Sequence, residues 1–93
     1  MPTIDPTFAE FEATARAEGF TVVLERQWAP LLVLDTHTHA FAVRALVVRG
    51  EMWLTVGDEV RHLQPGSRFE LSHEQPHAER YGAAGASYWV ARR

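Results

Sequence analysis

Two stretches of this 93-residue chain decide its reading. The first is His37-Thr38-His39-Ala40-Phe41-Ala42-Val43, followed after six further residues by Gly50. The second runs from Gly66 through Ser72, Glu74 and Pro76 to His77-Ala78-Glu79-Arg80-Tyr81. In a strand, side chains at i and i+2 leave the same face, roughly 6–7 Å apart at their roots. His37 and His39 can then converge on one ion at about 2.0–2.1 Å per nitrogen. Taken alone, the pair reads equally well as chance, because five histidines in a chain this short often fall two apart. In the second stretch His77, Glu79 and Tyr81 share one strand face, alternating with Ala78 and Arg80. Burying imidazole, carboxylate and phenol together is costly unless each finds a partner. A metal or ligand would supply one; the alternative is an exposed face with a salt bridge. Pro76 fixes the backbone entering this strand and helps to aim His77.

Outward from these stretches the chain reads as short runs rich in Val, Leu, Trp and Tyr, broken by turn residues. Strands are predicted over 20–26, 31–35, 42–49, 52–56, 59–63, 68–71, 77–81 and 86–90. Gly57-Asp58 suits a tight hairpin, and Pro65-Gly66 a second turn. Ahead of them one helix is expected over 6–18, with Asp5 as N-cap, Pro6 in the first position and Gly19 as terminator. Phe8, Phe11 and Ala15 give that helix its apolar face. The expected architecture is all-β, an eight-stranded barrel or jelly roll over 20–92 behind a short helix, in one domain spanning 1–93. A barrel of that size can enclose a small ligand.

Composition removes most competing chemistries. The chain has no cysteine, which excludes thiol catalysis, disulfides and zinc–thiolate sites. All nine basic residues are arginine, so no lysine amine can form a Schiff base. Ser67, Ser72 and Ser87 lie outside any nucleophile elbow. A metal is therefore the expected reactive centre. The net charge of −3 and the scattered arginines argue against a nucleic-acid partner. Apolar runs such as 31–34 and 45–48 are too short to cross a bilayer, and the first five residues do not resemble a secretory signal. A cytoplasmic location is expected, with no membrane partner. So small a domain would gain from covering its N-terminal edge strand, and a homodimer is expected.

In both stretches the chain resembles a small cupin, over about two-thirds of its length. The family's first motif is His-x-His, three or four residues, Glu, six residues, Gly. Here His37, His39 and Gly50 keep the spacing, and Val43 stands where the family has glutamate. The second motif runs from Gly through a five-residue strand and a Pro-x-Gly turn to a metal-binding His. Gly66, Ser72, Glu74 and His77 keep that spacing with the turn residues replaced, and Tyr81 stands at the family's final Asn.

The resemblance implies that His37, His39 and His77 bind one divalent metal, with Fe, Mn, Ni, Zn or Cu all compatible with such donors. Glu79 ranks first to replace the missing carboxylate, because it shares a face with His77. Asp35 and Glu51 rank below it, and three histidines completed by water is also a sound open site. The function implied is a metalloenzyme of oxygenase or isomerase type acting on a small molecule, with Glu79 or Tyr81 moving protons. The rival is a non-catalytic ligand-binding or sensory cupin. His62 and His73 read as surface residues, and Trp28, Trp53 and Trp89 as packing. Phe41 and Tyr81 are candidates for a pocket mouth, and Arg44 for contact with an anionic substrate.

Overall fold

The structure, a computed structural model, describes residues 6–93. Helix α1 (Phe8–Ala17) opens at Thr7, not at residue 6. Thr7 Oγ1 accepts from the Glu10 amide at 3.2 Å, while Glu10 Oε1 accepts from the Thr7 amide at 2.9 Å. This reciprocal capping box satisfies two N–H groups that the helix itself leaves unpaired, so Thr7 takes the cap. Asp5, the cap expected from sequence, lies outside the described residues. Gly19 ends the helix with φ +95°, a conformation open to glycine. Phe8 and Phe11 pack on Trp89, at ring-centroid distances of 5.4 and 6.0 Å. No helix of the described residues is long and apolar enough to cross a membrane.

Six strands follow: β1 (Val22–Trp28), β2 (Val33–His37), β3 (Val43–Val56), β4 (Glu59–Leu63), β5 (Arg68–Leu71) and β6 (His77–Arg92). The difference from the expected eight has one cause. In the sequence Gly50, Gly82 and Gly85 read as strand breaks, but β3 and β6 run through them as bulged, bent strands. Gly50 and Gly85 have φ of +74° and +69°, and a Cβ on Gly50 would lie 2.0 Å from the Gly85 carbonyl oxygen. Close backbone approach at a bulge is what glycine permits there.

All strand pairs are antiparallel. The C-terminal half of β6 pairs with β1 and with the first half of β3, whose other side takes β5. The N-terminal half of β6 pairs with β2 and with the second half of β3, whose other side takes β4. The bends thus make two layers from one six-stranded sheet, the jelly-roll arrangement, but the sheet does not close into a barrel. The main core lies between the layers, with Ala45, Val47, Met52 and Leu54 fully buried along β3. A smaller cluster around Phe11, Phe20, Leu46 and Ala91 seats the helix on the outer face. The turns at Gly57-Asp58 and Pro65-Gly66 fall where expected.

Candidate metal centre

His37 is the last residue of β2, and His39 lies beyond it in the segment leading to β3. The two are therefore not successive inward positions of one strand, as the spacing suggested. They still meet: ring centroids are 5.0 Å apart, and His77, which opens β6, lies 4.3 Å from His37 and 5.1 Å from His39. One ligand atom from each histidine can be chosen so that all lie within 4.8 Å of one another. Two nitrogens bound to one ion are at most about 4.2 Å apart, so a sub-ångström adjustment closes the group on a metal.

The hydrogen bonds fix which nitrogen is offered. His37 Nδ1 donates to the Asp35 carbonyl at 2.7 Å, and His77 Nδ1 to the Gln75 carbonyl at 2.9 Å. A carbonyl oxygen only accepts, so in the neutral rings Nε2 carries the lone pair. Such second-sphere bonds orient metal-binding imidazoles. Burial, reinforced by His77 and His37, holds the His39 imidazole below its ordinary range and so favours its neutral form.

Glu79 is buried on the next inward position of β6. Its Oε2 lies 3.4 Å from His37 Nε2 and 3.7 Å from His77 Nε2. A carboxylate oxygen and two imidazole lone pairs facing one another at these separations repel unless a proton or a metal cation lies among them, and the donor set fits a divalent ion. The other oxygen, Oε1, accepts from the Tyr81 hydroxyl and sits 3.5 Å from that of Tyr88. Burial drives the Tyr81 phenol far above its ordinary range, and Tyr88 is pushed up to about 12, again chiefly by burial. Both stay protonated donors toward Glu79.

Beside the histidines opens a cavity of about 260 Å³. Phe41 lines it and stacks on His39 at 4.9 Å. Tyr81 is not among the lining residues; it lies behind Glu79, stacked on Trp28 at 5.5 Å. Trp28, expected as packing, lines the cavity, as do Tyr88, Arg26 and Arg92, which the sequence reading passed over. Strand parity was the available signal: Arg26 shares a face with Trp28, and Arg92 with Tyr88 and Val90. Of the other carboxylates considered, Asp35 is exposed, and Glu51 pairs with His62 at 2.7 Å. His62 and His73 are exposed, as expected. Arg44 is not at the cavity: it bonds Glu18 and Glu70, tying the end of α1 to the sheet.

No family model matches this sequence, and no curated protein matches it. Solved structures do match. A protein of unknown function from Rhizobium leguminosarum bv. viciae is 18% identical, with a TM-score of 0.72 over 99% of this chain and 97% of that one. The DMSP lyase structures RdDddP and RnDddQII give 24% identity and a TM-score of 0.70, over 76% of this chain but only 37% of the lyase. An RmlC-like cupin from Shewanella frigidimarina gives 17% and 0.67, over 76% of this chain and 64% of that one. The class is thereby defined: the chain is a small domain of cupin fold, and its fold neighbours include enzymes. It carries a histidine group able to hold a metal.

Proposed function

We propose that this chain binds one divalent metal ion on His37, His39 and His77, with Glu79 as the site's carboxylate, and acts on a small polar molecule in the adjoining cavity. The observation behind this reading is the convergence of three imidazoles on one another, two of them with Nδ1 tied to backbone carbonyls and Nε2 turned to one buried carboxylate oxygen. When bound, the ion supplies Lewis-acid polarisation of a substrate oxygen, the chemistry of an isomerase- or oxygenase-type reaction. Glu79 Oε2 faces the histidines and is the atom placed to take a substrate proton. Tyr81 acts through Glu79: its hydroxyl holds Oε1, which fixes the carboxylate plane and leaves Oε2 toward the cavity. Phe41 and Trp28 form apolar walls that keep water from the substrate.

A second reading, ligand binding without turnover, is favoured by Val43, which lines the cavity where the resembling family carries a metal-binding glutamate. Elemental analysis of protein purified without a histidine tag tests the metal reading. Near-stoichiometric divalent metal is expected, and a folded chain devoid of it would overturn the metal site.

A homodimer is proposed with it. Among the described residues β1 pairs only with β6, leaving its outer edge open to a second copy. Light scattering should report about twice 10.5 kDa, and a monomer at every concentration would refute the dimer.

A further inference from the structure

The cavity beside the histidines carries two guanidinium groups that the metal reading does not use. Arg26 lies on β1 and Arg92 at the end of β6, and both line the cavity. Each is seated against an aromatic wall of it: Arg26 lies 4.6 Å from the Trp28 ring centroid, and Arg92 lies 4.7 Å from that of Phe41. Phe41 in turn stacks on His39, so Arg92 and the histidine group share one continuous wall.

Among the described residues neither arginine is neutralised. Arg16, Arg44 and Arg61 pair with glutamates, but among the described residues Arg26 and Arg92 have no carboxylate partner. The Nε of Arg92 is buried without an acceptor. Its cross-strand neighbours are Val22 and Val43, which offer no side-chain acceptor. A buried N–H donor left unpaired costs free energy that an incoming acceptor recovers. Away from the histidines, Glu79 and Tyr88, the walls beside Arg92 are apolar, with Val43, Phe69, Leu71 and Val90. Arg92 is half-buried and Arg26 is exposed at the cavity rim. The unpaired planar fork of Arg92 matches a carboxylate, which accepts in the same plane. At about 260 Å³ the cavity lies near or below the usual range of small-molecule sites, about 300–1,000 Å³.

We infer that the cavity binds a compact carboxylate-bearing molecule, its carboxylate held by Arg92, with Arg26 adding positive charge at the exposed rim, and its other end directed toward His37, His39 and His77. This names the substrate class of the proposed site and rests on the reading of that cavity as a ligand site.

Malonate is the probe, with malonamide as its uncharged counterpart, titrated calorimetrically into nickel-loaded and metal-free protein at physiological ionic strength, where exposed charges are screened. Malonate should bind both forms and malonamide neither. Arg92→Gln should weaken malonate by about 10- to 100-fold, as for loss of a charge-assisted contact, and Arg26→Gln, at the exposed rim, by less than about 10-fold, with metal content unchanged. Arg92→Lys should fall between parent and Gln, and Arg68→Gln, an exposed arginine outside the cavity, should change nothing. Malonate affinity that ignores Arg92→Gln, or equals that for malonamide, overturns the inference. If such binding also requires nickel, the metal reading stands without the arginines. Arginine-dependent malonate binding by a chain that retains no metal would remove the metal reading and leave this inference standing.

Discussion

Replacing His37 and His77 together by alanine is expected to abolish metal retention. Structural sites of four ligands bind zinc with roughly 10–16 kcal/mol, or about 2.5–4 kcal/mol per ligand. Removing two should cost about 5–8 kcal/mol, more than a 10³-fold loss of affinity and enough to strip the ion during purification. His77 is 3% exposed, and truncating it leaves a void that costs stability. The His37→Ala/His39→Ala pair is the control, since both side chains are only partly buried and neither is part of the main core. Both variants should lose the ion while keeping the parent's circular dichroism. Stoichiometric metal in either folded variant would overturn the assignment.

How far the sequence disclosed this arrangement depends on which physical signal each feature uses. The strand runs and hairpin turns were legible because alternation and turn chemistry are local. The strand number was not. Gly50 and the Gly82–Gly85 segment look the same in a sequence whether they end a strand or let it bend, and only the approach of Gly50 to the Gly85 carbonyl distinguishes them. The histidine group was legible for a reason partly different from the one first given. His39 lies outside β2, and it reaches His37 and His77 through the chain path toward β3, not through strand periodicity.

Glu79 was legible because parity with His77 survives in the fold: both are buried on β6. Arg26 and Arg92 were less so. An arginine near a strand end reads as a surface residue, and its cavity role depends on the tertiary contacts with Trp28 and Phe41. Arg44 shows the converse. It looked equally available to a substrate, yet Glu18 and Glu70 already hold it.

Glu79→Gln is expected to weaken metal affinity by about 10–100-fold, the usual consequence of losing a ligand or its close partner. The substitution keeps the side chain's shape. Tyr81 can still donate to the amide oxygen, which leaves the amide NH₂ where Oε2 now faces His37 and His77. Donor hydrogens then point toward the position of the cation, and the carboxylate's negative charge is gone. Val43→Glu, made in that background, should restore part of the loss. Val43 is buried on the cavity wall, at the place where the resembling family carries its carboxylate. The rescue should be incomplete, because Arg92 is the cross-strand neighbour of Val43 and competes for the new carboxylate. That competition has its own readout: malonate binding should fall in every variant carrying Val43→Glu, because the introduced carboxylate pairs with Arg92. If Glu79→Gln binds metal as tightly as the parent, Glu79 is a cavity residue and the site is three histidines completed by water.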